Sequence, residues 1–173
     1  MRFISVVEYD SSWRGAYREE EALVKKILQK ELIRSVHIGS TSVPGLKAKP
    51  IIDMLLVVQS IERLDTFSKD FSDAGYAVMG EHGIRGRRFF YKGNQERTHH
   101  IHAYKYTNIG EIERHVAFRD FLCEHKKIAE QYGELKHQLA MQYPFDSEQY
   151  CNEKDSLVKK IEDEALKWYW TVR

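Results

Sequence analysis

Only two cysteines and three prolines occur in the 173 residues, 27 basic side chains nearly cancel 26 acidic ones, and the longest aliphatic run is Met54–Val58. Each scarcity excludes a class of protein. Cys123 and Cys151 stand far apart in stretches of helical pattern, so neither a disulfide framework nor a CxxC zinc knuckle is indicated, and a reducing cytoplasm is the expected compartment. A net charge of +1 argues against binding nucleic acid over the whole surface, which takes many uncompensated lysines and arginines; a local basic site stays open. The Met54–Val58 run is far too short to cross a bilayer, and the opening MRFISVVEYD carries acid by position 8 with no apolar signal core, so neither secretion nor membrane insertion is expected. GxSxG, GxxxxGK[ST] and GxGxxG are all missing, which leaves serine hydrolase, P-loop kinase and Rossmann readings without support.

What is present is ample material for a core. A chain 42% hydrophobic and 12% aromatic can bury roughly 70% of its unfolded surface at this length, and one domain over residues 1–173 is expected. Helical periodicity predicts a first helix over 12–31, with Asp10, Ser11 or Ser12 available as caps, then a β-type run at 35–38 and a loop at 39–46 dense in turn formers. The aliphatic run 51–58 suits a central strand. Leu64, Phe67, Phe71 and Ala74 mark a second helix closed by Gly75, and three β-type runs follow at 76–79, 87–92 and 99–105. Helical patterns fill the last third, Pro144 interrupting them. The order α-β-β-α-β-β-β-α-α-α describes an α+β fold, a mixed β-sheet with packed helices.

Asp53 is the one carboxylate within that aliphatic strand, and an unpaired carboxylate in apolar surroundings costs several kcal/mol or takes up a proton. Either it sits at the strand's end, solvated or bonded to loop amides, or it holds a metal or acts as a base. The preceding Gly39-Ser40-Thr41-Ser42 offers a close-approaching backbone and three hydroxyls, the means by which small loops hold phosphate oxygens, and equally the makings of an ordinary turn. Pro44-Gly45 fits a turn needing positive φ, and Lys49-Pro50 delivers a cation ahead of the Asp53 strand.

Residues 81–105 hold six lysines and arginines and four of the eight histidines. His100 and His102 point to one face of a strand, at the spacing of a metal site or phosphate contact, or else line a solvent-facing edge; Ile101 faces the other way. Arg87 and Arg88 face opposite sides, so at most one enters any site. His115, His125 and His137 fall on expected helix surfaces and are taken as solvated. Trp13, Tyr132 and Trp168 sit at helical spacing expected of core residues.

His37-Ile-Gly-Ser-Thr-Ser-Val-Pro-Gly-Leu46 and Lys49-Pro-Ile-Ile-Asp53 together resemble the signature of the GrpB family (UPF0157-type), small bacterial proteins placed in the nucleotidyltransferase-like superfamily, some fused to dephospho-CoA kinase. Val7-Glu8-Tyr9-Asp10, Gly75-Tyr76, Arg88 to Lys92, Thr98 to His102, Phe118 to Leu122 and Leu135-Lys136 also look like family positions. The resemblance implies a polymerase-beta-like nucleotidyltransferase fold, in which a Gly-Ser loop holds triphosphate and strand carboxylates hold divalent metal. Gly39 and Ser40 match the loop and Asp53 the first carboxylate, but the second carboxylate position is Leu55, which cannot ligate metal. Three outcomes stay open: a single metal, a site completed by His100 and His102, or binding without catalysis.

The candidate site therefore comprises Asp53 and Ser40 for catalysis; Gly39, Ser40, Thr41, Ser42, Lys49, Arg88 and Lys92 for phosphate or nucleotide; and Asp53, His100 and His102 for metal. Magnesium or manganese is the expected ion, with zinc favoured if imidazole ligates. The expected activity is transfer of a nucleoside monophosphate from an NTP to an unidentified acceptor; the alternatives are a non-catalytic nucleotide or phosphometabolite binder tied to coenzyme A metabolism, and a structural or interaction domain. Oligomeric state stays open.

Overall fold

The computed structural model describes residues 3–172. Helix α1 (Trp13–Leu28) begins where the Asp10 carboxylate accepts the Ser12 N–H at 2.8 Å and ends in a 3-10 turn at Gln29–Glu31, so the predicted helix 12–31 is real but tightens in its last turn. Strand β1 (Leu32–Ile38) starts three residues before the predicted run, because Leu32 already pairs with Val58 across a bulge. Strand β2 (Ile52–Val58) follows the loop.

The predicted second helix divides into α2 (Ile61–Leu64) and α3 (Ser68–Asp73) around a 3-10 turn at Asp65–Phe67. The hydroxyls of Thr66 and Ser68 donate to the Arg63 and Asp65 carbonyls at 2.7 Å each, offering the backbone a local alternative to regular helix. Gly75, at φ +88°, supplies the left-handed closure expected of it. Then come β3 (Tyr76–Val78), β4 (Arg87–Lys92), β5 (His99–Lys105) and helices α4 (Ile109–Glu124), α5 (Lys126–Gln142) and α6 (Ser147–Thr171). Cys123 and Cys151 lie in α4 and α6 as free thiols.

The five strands form one mixed sheet in the order β1-β2-β5-β4-β3, with β2 and β5 parallel and the other pairs antiparallel. Period-two alternation divides β2 between two layers. Met54, Leu56 and Val58 face α1 and α3, packing with Val24, Leu28, Phe71, Phe90 and Ile101, while Leu55 faces α4 with Ile38 and Tyr104. A third cluster, including Val43, Leu46, Phe121 and Tyr132, ties α4, α5 and α6 to the loop after β1. The Asp53 side of the sheet is thus roofed by the C-terminal helices.

His37 faces the α1 layer, stacked on Tyr17 with ring centroids 4.8 Å apart, and its Nε2 lies 3.0 Å from the Thr41 hydroxyl. Burial pushes its pKa down to about 4, against the opposing pull of Asp53. The unfolded chain takes up this proton more readily than the folded one, so His37 contributes stability that is present above pH 6.5 and lost as pH falls toward 4. Allowing for solvent screening, we expect a loss on the order of 1–2 kcal/mol over that window. Urea midpoints at pH 7 and pH 4.5 check this: His37→Gln should shrink the difference, and an undiminished difference would place the acid sensitivity elsewhere.

Candidate functional site

Strand register brings Asp53 opposite Ile38 of β1 and opposite His100 of β5, and the period of two puts Asp53, His100 and His102 on the same face. His100 Nδ1 lies 3.1 Å and His102 Nε2 3.7 Å from Asp53 Oδ1, and one ligand atom from each residue fits within 4.8 Å of the others. Because β5 is flanked by β2 and β4, these partly buried imidazoles lie on a central strand and not at a sheet edge. Burial would raise the Asp53 carboxyl, but hydrogen bonds and charge from His100 and His102 outweigh it and hold the group well below the usual carboxylate range.

The loop backbone presses against this carboxylate. Gly39 adopts φ +70°, and a Cβ placed there would meet Asp53 Oδ2 at 2.5 Å and Asp53 Cβ at 2.9 Å. Gly39→Ala therefore combines left-handed strain with a clash against a side chain fixed in the sheet, and we expect a loss of about 2–4 kcal/mol. A thermal melt in which this variant matches the wild type would show that the loop yields freely.

Beyond Gly39, Ser40–Ser42 form a 3-10 turn whose hydroxyls have different fates. Ser42 Oγ donates to the Gly39 carbonyl at 2.5 Å and Thr41 Oγ1 to the Ile51 carbonyl at 3.3 Å, so both brace the loop. Ser40 Oγ instead accepts a 2.6 Å hydrogen bond from Lys136 Nζ on α5. Lys136 is only 3% exposed, lies over the Tyr132 ring at 4.4 Å, and has no acid within ion-pairing distance among the described residues. Burial, reinforced by Lys154 and Lys49, drives its pKa well below the usual lysine value despite Asp53.

These groups line a cavity of about 330 Å³ between the sheet and α5–α6, whose walls include Asp53, His100, His102, Ser40 and four cations: Lys49, Arg87, Lys136 and Lys154. Tyr150, wholly buried, carries Lys49 at 4.7 Å over its ring, and its hydroxyl has no hydrogen-bond partner among the described residues. A smaller cavity of about 180 Å³ adjoins Asp53 and His102 and reaches the Arg114–Glu162 ion pair and His115.

Several expectations are corrected here. Arg88 and Lys92 project from the opposite face of β4, where Arg88 binds Asp65 at 2.6 and 2.9 Å and Lys92 binds Glu20 at 3.0 and 3.1 Å; the arginine at the cavity is Arg87. Ser42 is turned away. His115, taken as solvated, packs its ring 5.2 Å from His102; His125 stacks on Phe121 at 4.0 Å, and His137 Nδ1 lies 3.2 Å from the Val6 carbonyl. Tyr132 is a core residue as expected, yet it also walls the cavity. Lys136, Lys154 and Tyr150 were not singled out as ligands. For Lys136 a signal existed: it stands within the buried stripe Ala129, Tyr132, Gly133, Leu139 and Ala140, where a lysine needs a reason.

A mixed sheet entered by a Gly-Ser turn, with a carboxylate near the start of the strand that follows, defines the polymerase-beta-like nucleotidyltransferase fold. The Cid1 poly(U) polymerase with MgGTP bound shares that fold at TM-score 0.51 and 14% identity, over 79% of this chain and 44% of that one. Within this class the chain belongs to the GrpB family, described as GrpB protein, whose model matches residues 3–164. It is similar to the conserved protein GrpB from Enterococcus faecalis, at TM-score 0.94 and 48% identity over 96% of this chain and 99% of that one. The UPF0157 protein YqkA of Bacillus subtilis is 44% identical over 96% of this chain and 48% of its own length, so the chain spans about half of that relative. The glutamate-rich protein GrpB of Alkalihalophilus pseudofirmus is 31% identical over 93% of this chain and 95% of its own length. No helix among the described residues is long and apolar enough to cross a membrane.

Proposed function

We propose that the chain binds a nucleoside triphosphate with a divalent metal and transfers its nucleoside monophosphate to an acceptor. The carrying observation is Lys136, a buried lysine without a carboxylate partner, whose hydrogen bond ends on the Ser40 hydroxyl beside three further cations. An isolated buried cation is unfavourable unless something anionic completes it, and a polyphosphate does so. In this reading Ser40 and the Gly39 backbone seat phosphate oxygens, and Lys49, Arg87, Lys136 and Lys154 neutralise them.

Asp53, His100 and His102 suit a metal: two imidazoles and a carboxylate converge, and His100 Nε2 is buried with no hydrogen-bond partner among the described residues. This donor set favours manganese, zinc or iron over magnesium, which prefers oxygen. A bound divalent ion would supply charge neutralisation at the reacting phosphate. In-line displacement needs acceptor and leaving pyrophosphate on opposite sides of phosphorus. The cationic cavity suits the pyrophosphate, and the smaller cavity toward Arg114, His115 and Glu162 suits the acceptor.

Leu55 favours the second reading, a binder without catalysis. It stands where the superfamily's second carboxylate would be, fully buried with Ile38 and Tyr104. Calorimetry with inorganic triphosphate and each NTP, with and without manganese, tests binding; release of pyrophosphate from labelled NTP separates transferase from binder. No binding of any of these would refute both readings.

A further inference from the structure

A second, larger cavity of about 460 Å³ opens beside the cationic one, sharing Lys49 and Ile51 with it. Its character differs. Phe3, Pro50 and Ile51 give it apolar walls, Ser5, Gln95 and Thr98 place neutral polar groups at its margin, and Lys49, Glu96 and Arg97 add charges of both signs. Such a mixture, flat apolar surface with a few hydrogen-bonding groups, is what an organic ligand's uncharged body requires.

The topology fixes how the two cavities relate. Ile51 precedes Asp53 by two residues on the path into β2, and Thr98 precedes His100 by two on the path into β5, while the two strands run parallel with Asp53 opposite His100. Two strand residues span roughly 7 Å, so the apolar cavity lies about that far from the Asp53–His100 pair, past the strands' beginnings. A ligand whose phosphorus sits at Asp53 and whose leaving phosphates reach Ser40 and Lys136 has room for its remaining substituent in this cavity, which shares Lys49 and Ile51 with the cationic one.

The rim is held in place. Phe3 is 62% exposed, yet its neighbour Ile4 is 3% exposed and donates its N–H to the Pro144 carbonyl at 2.8 Å, which anchors the segment carrying the ring. Across the opening, Arg97 places its guanidinium 4.0 Å from the centroid of the Tyr91 ring. An exposed phenylalanine fixed at the mouth of a cavity beside a charged site has a ready use as a stacking platform.

We propose that this apolar cavity receives the aromatic base of the nucleotide whose phosphates occupy the cationic cavity, with Phe3 and Pro50 as its stacking surfaces. It rests on the nucleotide-binding reading above and adds to it the position of the base and the residues that select it.

The test is calorimetric titration of the full chain, in manganese, with inorganic triphosphate and with ATP, GTP, CTP and UTP. At least one nucleotide should bind about tenfold or more tightly than inorganic triphosphate, the gain expected of one stacked base. Phe3→Ala should shrink that ratio to about threefold or less, and Gln95→Trp, which fills the cavity from an exposed position, should erase it. Equal affinity for triphosphate and all four nucleotides would overturn the base assignment and leave the phosphate reading standing. A preference that survives both variants would also overturn it. Failure of inorganic triphosphate itself to bind would strike at the phosphate reading and take the base assignment with it.

Discussion

Replacing Lys136 with methionine is expected to make the protein more stable and to abolish most of its affinity for triphosphate. Methionine keeps the length and flexibility of the lysine stem, so packing against Tyr132 survives, and only the ammonium is removed. In the unliganded chain protonation of that amine is unfavourable: it is desolvated, repelled by Lys154 and Lys49, and offset only by the Ser40 hydroxyl and the more distant Asp53. Removing this poorly compensated buried polar group should stabilise the fold by about 1 kcal/mol, a rise of a few degrees in Tm. In the proposed complex the same ammonium would be a charge-assisted hydrogen-bond donor to phosphate. Its loss, worth about 1.5–3 kcal/mol, lowers affinity about 10- to 100-fold. A melting curve and a triphosphate titration on one preparation decide the matter. If Lys136 were only a structural tie between α5 and the loop, stability would fall and no ligand affinity would change. Opposite signs for stability and binding mark a site shaped by what it binds.

The second large effect belongs to Asp53. Asp53→Asn keeps the shape that Gly39 packs against while removing the anionic ligand, so the steric fit of the loop is preserved. Binding of manganese or zinc should weaken at least a hundredfold, because a neutral amide is a poor partner for a divalent ion and two imidazoles alone hold it weakly. The midpoint rise produced by metal on the wild type should vanish in the variant, since stabilisation by a ligand follows its affinity for the folded state. Inorganic triphosphate without metal should bind the variant at least as well as the wild type, because the one carboxylate lining a cavity rich in cations has been neutralised. A metal response that persists in Asp53→Asn would remove Asp53 from the metal site. His100→Ala paired with His102→Ala would then show whether the imidazoles suffice.

The opposite use of Leu55 follows from its packing. It is fully buried between Ile38 and Tyr104 beneath α4, so the position at which the resemblance leads one to expect a second carboxylate is here part of the core. In the proposed metal site, histidines on the adjacent strand would take the place of that missing ligand. Asp53 has His100 directly across and His102 one pleat along, a spacing that the HxH pattern already contained.

Much of this could be read along the chain. Alternation of apolar residues set the order of elements, because burial on a helix or strand imposes its period on the sequence; the positive-φ turns at Gly45 and Gly75 were legible because only glycine enters that region at little cost. Asp53 drew notice by its own sequence context, a carboxylate amid aliphatic neighbours. The pairing of His100 with Asp53 was only a possibility until β5 was laid parallel to β2, since residues 47 apart in sequence meet through strand register alone. Choosing Arg87 over Arg88 depended on which face of β4 looks toward α5 and α6, and alternation states that the two differ without saying which is which. Lys136 lies 96 residues from Ser40, and its role rests on helix α5 crossing the Gly39–Ser42 loop. Local patterns follow from forces acting within a few residues. The site follows from the packing of four distant segments, and that packing was decided only in the folded chain.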